Sequence, residues 1–320
     1  SGLYRSDQRA DMAQAVVPRF DLIRFGDYMR VGVQFSRGCP YNCEFCDIIE
    51  LFGRRPRTKP PEQMVAELQA LYDQGYRGHV DFVDDNFVGN KVRCIEVLQV
   101  IAEWSKRHGY PFYFSTEASI NLAQEDQLLA LMREVDFRYV FVGIESPDED
   151  ALIETQKVQN RRVSVVDAVQ TLSSYGMIVN GGFILGFDSE TEHTAGNMID
   201  LIQDAAVSTA LVSRLTALPN TQLSRRLSQE GRLFAGGRMT VHDTEIEIDN
   251  TTSGLNFATS RPRTAILRDH ARVLQTVYDP ANYYERVLRT ALQLKPYRRY
   301  RPGFARAFKL AWTFVKVSLR

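Results

Sequence analysis

The sequence predicts an α/β protein: a partial (β/α)6 barrel of the TIM-like kind, followed by a mostly helical C-terminal extension. Three observations carry this expectation. Six short β-rich runs alternate with segments of helical periodicity. The runs are apolar and alternate only weakly, as strands of a parallel sheet covered by helices do. No seventh or eighth strand–helix unit follows, so the barrel is incomplete. An open doubly wound sheet is the main alternative, and either fold places chemistry at the C-terminal ends of the strands.

In chain order, residues 1–29 are polar and irregular, ending in Pro18-Arg19-Phe20-Asp21-Leu22-Ile23, and read as a linker arriving from an upstream domain. There is no initiator Met. Strands are expected at Val31–Ser36, Val80–Asp84, Phe112–Thr116, Tyr139–Ile144, Ile178–Leu185 and Leu211–Leu218. Between them, Met64, Leu68 and Leu71 fall on one helical face, and Ile95, Leu98 and Ile101 fall on another, with Trp104 close by. The barrel unit is expected over 30–223. Beyond Ser224 the alternation stops. A Gly-rich polar loop, Gly231 to Ser260, precedes helices expected near 263–278, 280–294 and 303–319, within a C-terminal unit of 224–320.

The 320 residues are 44% hydrophobic and 24% charged, enough for one large core and an appendage. Net charge is zero, so no global field favours nucleic acid or acidic partners. Charge is uneven, however: Ala291 to Arg320 contains eight Lys or Arg and no acid. No run of about 18 apolar residues stands out as a membrane span, and the N-terminus has no signal-peptide core. A cytoplasmic setting is the expectation, and a cysteine cluster there more often binds metal than forms disulfides.

Three of the four cysteines sit in Ser36-Arg37-Gly38-Cys39-Pro40-Tyr41-Asn42-Cys43-Glu44-Phe45-Cys46, directly after the first strand. The C-x3-C-x2-C loop can wrap three thiolates around one face of an iron–sulfur cube. Full ligation of a 4Fe–4S cluster takes four cysteines, and Cys94 lies far off in an expected helix, where it reads as a buried thiol. Three ligands leave one iron open, which suits binding of a cosubstrate. A structural zinc site wants four protein ligands, and no histidine stands at finger spacing. A disulfide would leave an odd cysteine.

This motif, with its aromatic before the last cysteine, resembles the radical S-adenosylmethionine (SAM) superfamily over roughly residues 30–220. The resemblance implies a partial (β/α)6 barrel in which Cys39, Cys43 and Cys46 ligate a 4Fe–4S cluster. It also implies that S-adenosylmethionine chelates the open iron through its amino and carboxylate groups. One electron passed into the sulfonium then breaks the S–C5′ bond and frees a 5′-deoxyadenosyl radical. Such chemistry needs a low-potential cluster in a dry pocket.

Further residues follow by the same resemblance. Asp84 and Asp85, ending the second strand, match the family motif that receives the methionine ammonium. The bland alternative is a loop acid capping the next helix. Glu117 after the third strand, and Glu145 and Ser146 after the fourth, are expected to contact the ribose and the methionine carboxylate. A carboxylate buried at a barrel mouth is costly without a partner. In the fifth strand Gly182, Ile184 and Gly186 resemble the Gly-x-Ile-x-Gly motif that packs on adenine, although two glycines in a strand can equally mark a bulge. The Phe45 backbone is expected at the adenine edge. Glu190 and Thr191 are expected to begin the next helix. Leu218-Pro219-Asn220-Thr221 departs from the Pro-Gly-Thr common there.

The fuller strings, Gln34 to Cys39, Cys46-Asp47-Ile48 and Phe82 to Phe87, resemble members with an N-terminal cobalamin-binding domain and a C-terminal helical domain of unknown function. Thirty residues cannot form the cobalamin domain. In such relatives methylcobalamin donates a methyl group to a substrate radical, so methylation of an unactivated carbon is the leading expectation. Radical rearrangement, cyclisation or sulfur insertion is the alternative. A non-catalytic electron-transfer or scaffold protein is the reading from another class. An electron donor such as flavodoxin or ferredoxin is implied.

Near the C-terminus, Phe304, Phe308, Ala311, Phe314 and Val315 fall at helical spacing, with Arg306, Lys309 and Lys316 nearby. Basic amphipathic helices can lie on anionic membranes. Packing on the barrel, or on a domain outside this chain, is the preferred expectation. Peripheral membrane contact through 300–320 would make a lipid such as a hopanoid or other isoprenoid a candidate small-molecule substrate. Tyr297-Arg298-Arg299-Tyr300 mixes basic and aromatic residues, but one short run does not argue for nucleic acid. The five histidines are scattered and read as structural or exposed.

Overall fold

The computed structural model describes residues 8–234, 238–241, 244–247 and 254–318. Six parallel strands form one sheet: β1 (Val31–Val33), β2 (Gly78–Phe82), β3 (Phe112–Ala118), β4 (Phe137–Glu145), β5 (Ile178–Leu185) and β6 (Thr209–Arg214). Each strand pairs with its sequence neighbours and with no other, in the order β1 to β6. A doubly wound sheet reverses its strand order at a switch point, and this one does not. The sheet is therefore a barrel left open between β1 and β6.

Helices cover its outside: α1 (Ile48–Leu51), α2 (Pro61–Asp73), α3 (Lys91–Arg107), α4 (Asp126–Glu134), α5 (Glu149–Glu154), α6 (Val165–Ser174) and α7 (Thr194–Asp204). Local chemistry sets their starts. Pro61 opens α2, where a missing N–H costs nothing. Asn90 and Ser164 cap α3 and α6 by accepting from Arg93 and Asp167 N–H groups. Met64, Leu68 and Leu71 are fully buried, as the periodicity implied. The buried face of α3 is Cys94, Val97, Leu98, Ile101 and Trp104, with Ile95 only partly covered.

Strand side chains alternate with period two. Val80, Phe82, Phe114, Val140, Val142 and Val179 are buried among the apolar core residues. Phe82, Phe87, Phe114 and Phe137 interlock with ring centroids 5.2 to 5.6 Å apart. At roughly 1.5–3 kcal/mol for each fully buried side chain, such a cluster anchors the first half of the sheet. The opposite phase, including His79, Asp81, Tyr113, Ser115, Glu117, Tyr139, Phe141, Asn180, Thr209 and Leu211, lines the lumen.

Several boundaries differ from expectation: the second strand spans Gly78–Phe82 and stops short of Asp84, and the sixth spans Thr209–Arg214 and not Leu211–Leu218. The first strand ends at Val33, and Ser36–Arg37 instead pairs antiparallel with Arg57–Thr58. Glu190 and Thr191 precede α7, which begins at Thr194; the Glu190 carboxylate turns back to accept the Gly186 N–H at 2.8 Å.

Past the sheet come α8 (Gln222–Gln229), a helix that was not expected and that crosses the expected boundary at 223/224, and then α9 (Arg263–Val277), α10 (Pro280–Gln293) and α11 (Phe304–Ser318) of the C-terminal unit, close to the three expected helices. Within the polar loop lies an antiparallel ribbon, β7 (Arg238–Val241) with β8 (Thr244–Glu247), that the sequence reading missed. Other parts of that loop, at 235–237, 242–243 and 248–253, lie outside the described residues. The Tyr297–Tyr300 run straps the start of β4. The Arg299 and Tyr300 N–H groups donate to Asp136 at 3.0 and 2.7 Å, and Arg138 donates to the Tyr300 carbonyl at 2.9 Å. That run is a structural clasp.

Along α11, Phe304, Phe308, Trp312 and Val315 are 88%, 63%, 54% and 43% exposed. Phe304 and Phe308 therefore do not pack on the barrel as preferred above. The side chains of Arg306, Lys309 and Phe314 lie outside the described residues. No helix among the described residues is long and apolar enough to cross a membrane.

Candidate functional site

The cysteine loop is shaped by glycine and held by carboxylates. Gly38 has φ +102°, and a Cβ there would lie 2.8 Å from the Gly53 carbonyl. A side chain would collide, so the chain needs glycine to turn into Cys39. The Asp85 carboxylate accepts the Gly38 N–H at 3.2 Å. Asp84, fully enclosed, accepts from the Phe35 N–H at 2.9 Å, the Ser36 N–H and the Ser36 hydroxyl at 2.6 Å. Burial pushes its carboxyl up to about 7, against the pull of those hydrogen bonds. The donors that hold Asp84 are thus all on the segment between β1 and the cysteine loop.

Cys39 and Cys46 are half-buried, Cys43 is buried, and none forms a disulfide. Burial raises the Cys39 thiol and pushes Cys46 up to about 12. Thiols so raised stay protonated until a metal supplies the charge that deprotonates them. Two side-chain amides reach the trio: Asn86 Nδ2 lies 3.7 Å from Cys39 Sγ, and Gln159 Nε2 lies 3.6 Å from Cys43 Sγ. Cys94 is buried in α3 with its thiol on the Phe87 carbonyl, away from this group. Among the described residues no three His, Cys, Asp or Glu side chains converge to chelate a single metal ion. Thiolates on separate irons of a cube need not meet at one point, so three free thiols on one short loop fit the donor set of a cluster.

Beside the thiols, Lys157 Nζ forms a 2.6 Å ion pair with Glu145, both partners nearly enclosed. Burial alone would lower the ammonium pKa, but Glu145 and the neighbouring Cys43 outweigh it, so the group is held above its ordinary range. Its Nζ also lies 5.9 Å from the Phe45 ring centre. Glu145 takes φ +69° where the β4–β5 register slips. Ser146 is buried, and its hydroxyl accepts the Asp148 N–H at 3.2 Å.

Two adjoining cavities open here. The smaller, about 210 Å³, is walled by Phe45, Glu145, Gly182 and Ile184 together with Leu215 and Arg214. At Gly182 a Cβ would lie 2.7 Å from the Phe141 ring, so only glycine leaves this wall open. The larger, about 1550 Å³, is the lumen itself, with Asp84, Asp85 and Glu117 near the cysteine end. Phe141 and Leu211 belong to both walls. Glu117 is exposed at the end of β3, not buried as a barrel-mouth carboxylate was expected to be; partial desolvation by the surrounding protein, then repulsion from Asp81 and Asp85, raises its carboxyl. Also along this wall, the exposed Arg30 pairs with Asp81 at 3.1 Å, Ser115 donates to Asp81, and His79 Nε2 meets Ser115 Oγ at 2.7 Å.

Of the expected site residues, Phe45, Glu145, Gly182 and Ile184 thus share one wall, and Asp84, Asp85 and Glu117 share the other. Ser146 and Gly186 line neither. Gly186 faces Leu255 of the C-terminal unit, whose Cδ2 would be 2.5 Å from an added Cβ.

The sequence reading assigned no role to the groups that clamp the cysteine loop from outside. Glu44, between Cys43 and Cys46, receives Arg226 of α8 through two parallel bonds of 2.6 and 3.1 Å. The Leu223 N–H donates to the Glu44 carbonyl at 3.0 Å, and Gln222 donates to Asn42. Arg226 also meets Asp188, which Arg232 and Ser260 engage too. Arg226→Ala is expected to loosen the loop, with iron lost roughly tenfold faster under chelator challenge. Arg226→Lys should rescue little, because a point charge cannot replace a planar fork.

The chain is thus of a class defined by an open parallel barrel with three free thiols in the loop after its first strand. Comparison with known proteins makes the class specific. Residues 33–202 match the radical SAM superfamily, and residues 221–318 match a domain of unknown function, DUF4070. The chain belongs to the radical SAM superfamily. It is 40% identical to an uncharacterized methyltransferase of Synechocystis sp. over 97% of this chain and 55% of that one. It is also 40% identical to the hopanoid C-2 methylase of Rhodopseudomonas palustris, over 80% of this chain and 46% of that one. The chain thus spans about half the length of the curated relatives it matches. Among solved structures, the radical S-adenosylmethionine methyltransferase TsrM of Kitasatospora setae, with cobalamin and a [4Fe-4S] cluster bound, superposes with a TM-score of 0.64. That match has 15% identity and covers 80% of this chain and 53% of that one. OxsB, a cobalamin-dependent S-adenosylmethionine radical enzyme, gives 0.59 at 16% identity, covering 89% and 49%. These two likenesses establish the fold.

Proposed function

We propose that this chain is the catalytic core of a radical SAM methyltransferase that methylates an unactivated carbon of a lipid or isoprenoid, with cobalamin as methyl carrier. The observation that carries the reading is the free thiol trio beside the buried Glu145–Lys157 pair and next to two joined cavities. When bound, a 4Fe–4S cluster on Cys39, Cys43 and Cys46 supplies the one-electron chemistry that splits S-adenosylmethionine into methionine and a 5′-deoxyadenosyl radical.

The protein's own groups bind and shield. Phe45, Gly182 and Ile184 offer an apolar slot for a nucleoside. Glu145 is oriented by Lys157 toward that slot. Glu117 and Asp85 face the lumen, where a cationic ammonium finds carboxylates. Asp84, with its acceptors occupied by Phe35 and Ser36, suits positioning the cysteine loop better than touching ligand. Ser146 and Gly186 support the slot from behind. The lumen, walled by Tyr113, Tyr139, Phe141 and Leu211 but carrying His79, Ser115 and Asp81, suits a largely apolar substrate with a polar end. A flavodoxin or ferredoxin is the proposed electron donor.

The hopanoid methylase likeness favours an isoprenoid, and the exposed α11 stripe gives such a substrate a membrane-side approach. The full chain is expected to co-sediment with anionic liposomes, and deletion of 304–318 to reduce that several-fold. Unchanged co-sedimentation would remove the membrane part of the reading. For the reaction itself, cluster and cobalamin are reconstituted in a protein of the relatives' full length, and 5′-deoxyadenosine and S-adenosylhomocysteine are measured together. Methylation yields both, whereas rearrangement, cyclisation or sulfur insertion yields no S-adenosylhomocysteine.

A further inference from the structure

Two amide groups from outside the cysteine loop turn their N–H ends toward its sulfurs. Asn86, just beyond β2, has little freedom to do otherwise. Its Oδ1 accepts from the Ser119 N–H at 3.1 Å and the Ser119 hydroxyl at 3.3 Å, which leaves Nδ2 to face Cys39 Sγ at 3.7 Å. Gln159, in the 3-10 turn Val158–Asn160 between α5 and α6, sets Nε2 3.6 Å from Cys43 Sγ. Its Oε1 is buried and unpartnered among the described residues. The Nε2 contact with sulfur is therefore the hydrogen bond that holds this amide in place. The backbone amides of Tyr41 and Ile48 approach Cys39 and Cys46. Each of the three sulfurs therefore has an N–H directed at it, and Lys157 adds a full positive charge nearby.

We propose that Asn86 and Gln159 set the reduction potential of the cluster held by Cys39, Cys43 and Cys46. The inference rests on the cluster assignment above. Reduction adds one electron, delivered by a low-potential carrier, to a group whose thiolate ligands are already negative and half shielded from water. Enclosure disfavours that added charge. N–H dipoles aimed at the ligand sulfurs stabilise it, so each donor raises the potential. Backbone donors come with the loop in any sequence. The two side-chain donors do not, and they are where this chain tunes its cluster.

The test uses the whole chain, loaded anaerobically with iron and sulfide, and an EPR-monitored redox titration with dithionite and mediators. Gln159→Leu removes the donor while keeping the bulk, and Val158→Ala, on an exposed neighbour, is the control. Gln159→Leu is expected to take up as much iron as the parent. At the parent's midpoint its ratio of reduced to oxidised cluster should fall up to tenfold, which is about 59 mV for a one-electron couple. Asn86→Leu should shift the same way, and the double variant further. An unchanged ratio in Gln159→Leu at full iron content overturns the proposal. So does loss of iron from that variant, which would make Gln159 a support of the loop only. A parent that assembles no cluster is a separate result, and it contradicts the functional reading itself.

Discussion

Replacing any one of Cys39, Cys43 or Cys46 by alanine is expected to abolish cluster assembly and S-adenosylmethionine cleavage, by more than about 100-fold. Outer partners of metal ligands alone are worth roughly 10–100-fold, and a missing ligand removes more. Nothing in reach can substitute. Cys94 is enclosed in α3 with its thiol on the Phe87 carbonyl, and no other cysteine exists in the chain. The same change at Cys94 should leave iron content unaltered. Iron and sulfide analysis of the four variants, together with 5′-deoxyadenosine formation, checks this. A cluster that survives loss of one of the three, or one that needs Cys94, would move the site elsewhere.

Lys157→Met is expected to cost about 3–5 kcal/mol of stability, because it strands the enclosed Glu145 without its partner. Chemical denaturation with a linear extrapolation measures it. The double change Lys157→Met, Glu145→Leu should recover much of the loss, since a buried pair replaced by apolar groups is often neutral. Activity should not recover, because Glu145 is proposed to face the nucleoside slot. The pH dependence has a definite sign. The Lys157 pKa is raised in the folded state, so the folded protein holds that proton more tightly than the unfolded chain. The pair's contribution is fully present below the ordinary lysine range and fades only as pH climbs through and beyond it. A parent whose stability at pH 9 already matches the Lys157→Met variant would contradict this.

Much of the fold was legible because it is written locally. Most barrel strands are apolar runs ending in polar residues, and the six-unit count pointed to an open barrel. The sequential strand order then excluded the doubly wound sheet. The ribbon at 238–247 was missed although Arg-Met-Thr-Val and Thr-Glu-Ile-Glu alternate, because the surrounding loop looked uniformly polar. In the site, the three cysteines declare themselves by spacing within eight residues. Lys157 and Gln159 do not: they lie in a short connecting stretch with no period, and only the fold of the β4–α6 connection brings them to the sulfurs. Arg226 carries no local signal either, since its partner Glu44 is 182 residues away. Asp84 and Asp85 stand side by side in sequence, and only the fold decides that Asp84 turns to the backbone of Phe35 and Ser36.

The C-terminal unit matters to the site through contact as well as through covalent attachment. Arg226 and Leu223 grip the loop between Cys43 and Cys46, while Leu255 closes over Gly186. The cysteine loop is therefore clamped by both units of the chain.

The most direct measurement is an EPR spectrum of the anaerobically loaded, reduced protein before and after adding S-adenosylmethionine. With three protein thiolates and one open iron, the cosubstrate should change the spectrum of the reduced cluster, and 5′-deoxyadenosine should accumulate under strong reductant. A spectrum indifferent to S-adenosylmethionine, from a cluster present at full occupancy, would contradict the account and leave an electron-carrying or structural role.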